Sequence, residues 1–229
     1  MSSSPAPRGR IEAPRLYLFT PRIGGDAGEF ARALPEALKA GDVAAVLLRL
    51  EEADERTLVN RVKAIAPVVQ AADVALLLEG RPELVGRAGA DGAHLTGIEA
   101  LSAALPSLKP ERIAGAGGLR SRHDAMLAAE AGADYVMFGE PAPAPARRAG
   151  GPDEGDRQPP FALVLERVAW WAQLFESPCV GYAASLDEVL ALARAQADFV
   201  ALGEWIWTHA QSPAAAISEA AAHLSSAPA

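Results

Sequence analysis

Short apolar runs alternate along this chain with longer segments whose apolar residues recur every three or four positions. The short runs are rich in Leu, Val and Ala and are bounded by turn residues, a pattern typical of buried β-strands. The longer segments predict amphipathic helices, one of which is marked by Phe30, Leu34 and Leu38. Eight strands are predicted, at residues 16–20, 43–50, 74–78, 92–95, 113–116, 135–139, 179–182 and 199–203.

Strict alternation of strands with helices predicts βαβ units and therefore a parallel sheet. The chain also repeats itself: Ala-Gly-Ala-Asp occupies 88–91 and 131–134, and Ala-Gln-Ala-Asp occupies 195–198, each just before a predicted strand. Eight βα units in roughly 200 to 250 residues are the content of a closed barrel, whereas a doubly wound open sheet rarely needs so many parallel strands. The predicted fold is α/β, a single (β/α)8 TIM barrel.

Composition indicates where the barrel domain begins and where its longest loop lies. Residues 1–14 predict a flexible N-terminal arm, and residues 15–229 predict the barrel domain. Residues 140–160 are rich in Pro, Ala, Gly and charged side chains and cannot form a core, so they predict a mobile loop after the sixth strand. Because that loop lies at the C-terminal mouth, where barrel active sites are built, a functional lid and a disordered insertion both fit it.

Charge and cysteine content narrow the possible partners. Half of the 229 residues are apolar, the mean hydropathy is +0.09, and the formal net charge is −8. This balance argues against nucleic acid as a partner, and the absence of a long apolar run argues against a membrane. Cys179 is the only cysteine, so no internal disulfide forms and a reducing compartment is expected. A cytoplasmic protein is therefore predicted.

The candidate chemistry lies at the predicted strand ends. Arg49 ends the second strand and Arg81 follows the third, so their side chains converge on the barrel mouth, either as an anion site or as rim ion pairs to Glu79 or Glu51. His94 on the fourth strand is interpreted as a satisfied core group. The adjacent Trp170 and Trp171 on one helix make a homo-oligomer plausible, and Trp205 and Trp207 after the eighth strand fit either stacking on a ligand or filling an unused pocket.

Several segments together resemble the thiamine-phosphate synthase family over most of the chain, from Leu16 to Trp207. They are residues 17–20, Arg49, residues 89–95, and residues 132–135 leading to Gly139. The resemblance implies an enzyme of thiamine biosynthesis, a transferase that joins hydroxymethylpyrimidine pyrophosphate to a thiazole phosphate. It also implies Mg²⁺ as cofactor, and basic groups that assist departure of pyrophosphate from a pyrimidine carbocation.

The family motif on strand two is only partly present. Its Gln-x-Arg-x-Lys falls on Leu47, Arg49 and Glu51, so the arginine remains and the lysine has become an acid. By resemblance, Arg49 is a catalytic residue.

The motifs after strands three and four also differ. The family's Asn-Asp-Arg falls on Glu79, Gly80 and Arg81, which keeps the arginine as a catalytic candidate and displaces the metal-binding aspartate. The second metal-binding aspartate falls on Glu99, and carboxylate oxygens at Glu79 and Glu99 are of the kind that bind Mg²⁺.

The substrate-binding positions of the family fall on Gly117 or Gly118 after strand five, where a hydroxyl residue is expected, and on Gly139 after strand six. The Thr-x-Thr-Lys segment falls on residues 144–147, so that Arg147 is the third catalytic candidate; alternatively it is a solvated charge in the loop.

The phosphate-binding turns differ most. The Gly-Gly turn after strand seven falls on Ala183 and Ala184, and the serine after strand eight falls on Glu204. A glutamate there would place like charge against a phosphate, at a cost on the order of 4 kcal/mol at ~4 Å. We therefore expect Glu204 to point into the phosphate site and to weaken phosphate binding.

Two functions fit these observations. In the first, Arg49, Arg81, Arg147 and Glu99 still hold pyrophosphate and Mg²⁺, small phosphorylated heterocycles are the ligands, and the chain makes thiamine phosphate weakly or slowly. In the second, the barrel is a non-catalytic relative with a degenerate active site that binds another small ligand or a protein.

Overall fold

A closed barrel of parallel strands forms the centre of the protein. The computed structural model describes residues 13–141 and 158–226. Within these residues eight strands are present: β1 (Arg15–Ile23), β2 (Val43–Leu50), β3 (Ala75–Glu79), β4 (Gly92–Thr96), β5 (Ile113–Gly117), β6 (Tyr135–Phe138), β7 (Cys179–Ala183) and β8 (Phe199–Leu202). Each strand pairs in parallel with the next, and β8 pairs with β1. The predicted (β/α)8 barrel is confirmed.

Helices follow the strands and cover the outside of the barrel. In the described residues they are α1 (Ala27–Lys39), α2 (Glu55–Gln70), α3 (Val85–Ala88), α4 (Ile98–Leu108), α5 (Arg122–Ala131), α6 (Phe161–Leu174), α7 (Leu186–Arg194) and α8 (Pro213–Ser225). Two 3₁₀ turns, Pro82–Leu84 and Glu204–Thr208, follow β3 and β8. The α3 helix has only four residues, so the outer layer is thin beside α4.

The core has two layers because alternate strand residues face opposite sides of the sheet. One layer lies between the strands and the helices and is mostly Leu, Val and Ala. The other fills the barrel interior with larger and more polar side chains, Tyr17, Phe19, Ala45, Leu47, Leu77, Tyr135, Met137, Val180, Tyr182 and Ala201. The interior is therefore a packed core rather than a channel, and ligands must bind at its mouth.

The repeated Ala-x-Ala-Asp segments have a structural explanation. Each aspartate accepts a hydrogen bond, at 2.7 Å, from a backbone N–H at the start of the preceding strand: Asp91 from Leu76, Asp134 from Ala114, and Asp198 from Cys179. The backbone N–H of each aspartate in turn donates to the carbonyl of that same residue. The repeat therefore links neighbouring strands through hydrogen bonds at the N-terminal end of the barrel, away from the mouth.

Removing one of these aspartate side chains is expected to destabilise the barrel without changing the residues at the mouth. In D134A the Ala114 N–H loses its acceptor, which should lower the free energy of unfolding by about 1–3 kcal/mol. D134N keeps an acceptor oxygen and serves as the matched control. Urea unfolding of both variants checks this, and equal stability of D134A and the parent would contradict it.

Strand ends differ from the prediction at two places that bear on the mouth. The first strand continues past Thr20 to Ile23, across an irregularity in its pairing with β2, so that Arg22 lies opposite Arg49. The sixth strand ends at Phe138 because Gly139 has a φ of +93°, a left-handed conformation that suits glycine. Of the predicted 140–160 loop, residues 142–157 lie outside the described residues, as do residues 1–12 of the predicted arm.

Among the described residues, no helix has both the length and the apolar character needed to cross a membrane.

Candidate active site

Arg49 is the centre of the charged groups at the C-terminal mouth. Its side chain is only 7% exposed, and its backbone N–H donates to Thr20 Oγ1 at 3.0 Å. The guanidinium Nε donates to Glu79 Oε1 at 3.1 Å, and Nη1 donates to a carboxylate oxygen of Glu204. Burial of a permanent charge requires such partners, and here two carboxylates supply them.

Glu79 links Arg49 to a second arginine. While Oε1 of Glu79 accepts from Arg49, Oε2 lies 3.2 Å from a guanidinium nitrogen of Arg22 at the end of β1. The Glu79 side chain is 14% exposed, so the carboxylate is held between two cations with little water around it. The predicted rim ion pair from Arg49 to Glu79 is present, and it is buried rather than superficial.

A cavity of about 730 Å³ opens beside these groups. Its charged end contains Arg22, Glu79 and Arg81, and Arg81 pairs with Glu52 at 2.5 Å. Its wall along α4 is small and apolar. The full lining is Arg22, Leu50, Glu52, Glu79, Gly80, Arg81, Pro82, Glu83, Leu95, Thr96, Ala100, Ala103, Ala104 and Ser107. Three glutamates and two arginines of the described residues therefore line the cavity, whose volume is that of a small-molecule site.

The two predicted metal ligands do not lie together in this cavity. Glu79 lines it with both oxygens engaged by arginines, whereas Glu99 is exposed in the first turn of α4 and is absent from the lining. Across residues 13–141 and 158–226 no cluster of three or more His, Cys, Asp or Glu side chains is arranged to hold a metal ion. The protein groups alone thus do not fit a preformed Mg²⁺ site.

A buried chain of hydrogen bonds lies deeper in the mouth. His94 Nδ1 is 2.9 Å from the hydroxyl of Tyr135, and that hydroxyl is 3.0 Å from the hydroxyl of Tyr17. Burial lowers the pKa of His94 from 6.5 to about 4 and raises the pKa values of both tyrosines, so all three are neutral at pH 7. His94 is buried, as predicted, but within the described residues its Nε2 has no hydrogen-bond partner.

Glu140 approaches that unpartnered nitrogen from the end of β6. Its Oε1 is 3.9 Å from His94 Nε2 and accepts a hydrogen bond from the backbone N–H of Gly118. Burial raises the pKa of Glu140 from 4.5 to about 7, and the hydrogen bond from Gly118 opposes the shift. Gly117 leaves room for this contact, because a Cβ there would overlap both Glu140 and His94. Glu140 is therefore an acid that titrates near neutral pH.

The backbone groups of the turn after β7 are already hydrogen-bonded to side chains of the protein. The Ala184 backbone N–H donates to Glu188 Oε2 at 2.6 Å, and the carbonyl of Ala183 accepts from the indole of Trp205 at 3.1 Å. In many barrels the loops after strands seven and eight bind phosphate. Here, at the predicted substrate-binding positions Ala183 and Ala184, the available donor and acceptor are already used within the protein.

Glu204 differs from the expectation of an isolated repelling charge. It does lie at the mouth after β8, but its carboxylate is paired to Arg49, so its charge is compensated. The side chain is 53% exposed and has room to move. The expected cost of about 4 kcal/mol applies to an unpaired carboxylate next to a phosphate. It does not apply here, because Glu204 is paired with Arg49.

Of the remaining predicted site residues, Gly118 and Gly139 do not line the cavity. Gly118 has a φ of +62° and donates to Glu140, so it contributes a backbone N–H to the mouth. Gly139 packs against Val164 of α6, and its carbonyl accepts from Gln158 at 2.8 Å, which gives it a structural reason to be glycine. Arg147 lies outside the described residues.

Two residues that sequence reasoning missed belong to the site, Arg22 and Glu140. The available signal for Arg22 was its place just beyond the first predicted strand, on the side where all strands end. Glu140 begins the predicted 140–160 loop, although only Gly139 separates it from the buried strand β6.

The protein is a (β/α)8 barrel whose described residues place one buried arginine and two partly exposed arginines at its C-terminal mouth, the end at which barrels of this fold build their ligand sites. The sequence model described as thiamine monophosphate synthase matches residues 16–206. The chain belongs to the thiamine monophosphate synthase family.

Full-length relatives agree with this assignment. The thiamine-phosphate synthase of Rhodospirillum centenum is 37% identical over 212 residues, which are 90% of this chain and 95% of the relative. The thiamine-phosphate synthase of Hyphomonas neptunium is 35% identical over 223 residues, 95% of each chain.

Solved structures support the fold. Thiamine phosphate pyrophosphorylase from Pyrococcus furiosus has a TM-score of 0.72 at 19% identity, covering 94% of this chain and 97% of that one. A 3-hexulose-6-phosphate synthase has a TM-score of 0.63 at 15% identity, covering 91% and 99%.

Proposed function

We propose that this protein catalyses thiamine phosphate formation from hydroxymethylpyrimidine pyrophosphate and thiazole phosphate, and that it does so slowly. The observation that carries the proposal is the buried guanidinium of Arg49 at the mouth, next to a cavity that also contains Arg81. The position of Arg49 at the end of β2 is where the family motif has its arginine. Relatives called thiamine-phosphate synthase cover nearly the whole chain.

In the proposed reaction the carbon–oxygen bond between the pyrimidine methylene group and pyrophosphate breaks, and pyrophosphate leaves with the bonding electrons. The thiazole nitrogen then donates its electron pair to the methylene carbon. Arg49 and Arg81 stabilise the negative charge that develops on the leaving group, which is an electrostatic contribution in a partly desolvated site. Tyr17, Tyr135 and His94 are neutral in the barrel interior, so they place no positive charge there that would oppose a carbocation.

The reason to expect slow turnover is competition from protein carboxylates. Glu79 and Glu204 already occupy the Arg49 guanidinium, so pyrophosphate must displace at least one of these contacts. Glu188 occupies the Ala184 N–H, which lowers the number of backbone donors open to a phosphate after β7. Both effects subtract from the binding energy available to the transition state.

A second function is favoured by that same contact between Glu188 and Ala184. A barrel that no longer turns over these substrates, and binds another small ligand, has no need of free donors after β7.

An omission assay separates the two functions. The protein is incubated with hydroxymethylpyrimidine pyrophosphate, thiazole phosphate and Mg²⁺, since Mg²⁺ is commonly bound through substrate phosphates. Thiamine phosphate should form only when both substrates are present, and more slowly than with the Rhodospirillum centenum relative under the same conditions. Failure to form it at stoichiometric enzyme would favour the non-catalytic barrel.

A further inference from the structure

Glu51 stands where the family motif has a lysine, yet its side chain does not enter the cavity. The carboxylate lies against Gly24, in the space that a side chain at Gly24 would occupy, and Glu51 is exposed and absent from the cavity lining. Its backbone N–H donates to the carbonyl of Ile23 at 3.1 Å. The acid at this position therefore does not reverse the charge of the cavity.

Arg22 brings a cation to the cavity from a different strand. The pairing of β1 with β2 places Arg22 opposite Arg49, and neighbouring strands lie about 4.8 Å apart. The guanidinium of Arg22 contacts Glu79 at 3.2 Å, and the residue lines the cavity. Its side chain is 31% exposed, so one side of the guanidinium is open to an incoming group.

We propose that Arg22 is a pyrophosphate-binding residue of this site, supplying the cation that position 51 no longer provides. The proposal rests on the proposed function for the identity of the substrate. The ligand class is a diphosphate or diphosphate ester, because Arg22 and Arg81 line one cavity, Arg49 shares the Glu79 carboxylate with Arg22 beside it, and each arginine presents a planar fork suited to phosphate oxygens.

Glu79 occupies the guanidinium nitrogens to which that ligand would bind. It is a single carboxylate that occupies guanidinium nitrogens of both Arg22 and Arg49, each at just over 3 Å. A diphosphate carries more charge and more acceptor oxygens than one carboxylate, so it can compete with Glu79 for the same donors. A purely structural Arg22 would instead act only as a partner that neutralises Glu79.

Calorimetric titration with inorganic pyrophosphate distinguishes these roles. R22Q removes the charge and keeps a polar side chain, and it is expected to weaken pyrophosphate binding at least tenfold. R22K should bind with intermediate affinity, because a point charge remains but the fork is lost. The loss should shrink as salt is raised, since part of the attraction is screened. Thermal unfolding of each variant gives the folded fraction used in the fit.

Two controls use charged residues away from the cavity. R15Q alters an arginine at the opposite end of β1, paired with Asp42, and should leave pyrophosphate affinity unchanged within twofold. E51K restores the family's lysine at a position outside the cavity lining and should raise the affinity less than threefold.

The outcomes separate this inference from the proposed function. Weaker pyrophosphate binding by R22Q supports the role of Arg22 even if the protein makes no thiamine phosphate. Unchanged affinity in R22Q overturns it even if the parent is an active synthase. It is also overturned if E51K, rather than Arg22, controls the affinity, or if the parent does not bind pyrophosphate at millimolar concentration.

Discussion

Replacing Arg49 with alanine is expected to lower kcat/KM for thiamine phosphate formation at least a hundredfold. Arg49 is the most buried cation of the proposed site and faces the charge that develops on pyrophosphate. Removing one preorganised donor to a developing anion typically costs on the order of 10²–10³ in rate. The measurement is steady-state kinetics with both substrates, and R49K should recover only part of the activity, because it restores charge without the planar fork.

Loss of folding must be separated from loss of chemistry in this variant. R49A leaves Glu79 buried with one partner fewer, and breaking a buried ion pair by removing one member costs roughly 3–5 kcal/mol. The double variant R49A/E79Q removes the orphaned negative charge and is expected to be more stable than R49A. Synthase activity close to that of the parent in the folded double variant would contradict the role given to Arg49.

Replacing Glu140 with glutamine is expected to stabilise the protein at pH 8 by up to about 3 kcal/mol and to have little effect at pH 4. The pKa of Glu140 is about 7 in the folded protein, against an ordinary value of 4.5. Between these two values the unfolded chain ionises while the folded protein keeps its proton, so the stability of the parent falls as pH rises. Above pH 7 this penalty stays constant, and glutamine does not incur it.

The difference in unfolding free energy between E140Q and the parent separates the effect of Glu140 from that of His94. The pKa of His94 is lowered to about 4, so protonation of the unfolded chain reduces stability as pH falls below 6.5, equally in both proteins. Glutamine can still accept the Gly118 hydrogen bond. Urea unfolding from pH 4 to pH 8 provides the comparison, with E130Q on the exposed face of α5 as control. Equal stability of E140Q and the parent at pH 8 would show that burial does not raise the pKa of Glu140.

The barrel could be predicted because its signals are local and repeated. Apolar runs alternate with amphipathic segments throughout, and the Ala-x-Ala-Asp repeat recurs at the same point of three βα units, where each aspartate makes the same backbone contacts. Predicted and observed strands agree except near their ends. The first strand was predicted too short because Pro21 interrupts the apolar pattern, although the chain continues in pairing with β2 through an irregularity.

The site was less predictable because it depends on side-chain direction and on partners distant in the sequence. Arg49 and Arg81 lie at strand ends as expected, since strand order alone determines which residues reach the mouth. The pairing of Glu204 with Arg49 joins residues 155 positions apart, and no local pattern reveals it. Likewise, an acid at position 51 suggests a lost cation, whereas its side chain lies against Gly24 outside the cavity lining and Arg22 lines the cavity instead.

The most direct test of synthase activity is a single-turnover reaction with the protein in excess over hydroxymethylpyrimidine pyrophosphate, quenched in time and analysed by mass spectrometry. We expect thiamine phosphate and pyrophosphate to appear together in equal amounts, only when thiazole phosphate is present, and at least a hundredfold more slowly with R49A. Tight binding of the substrates with neither product formed, or identical yields from the parent and folded R49A/E79Q, would contradict this expectation.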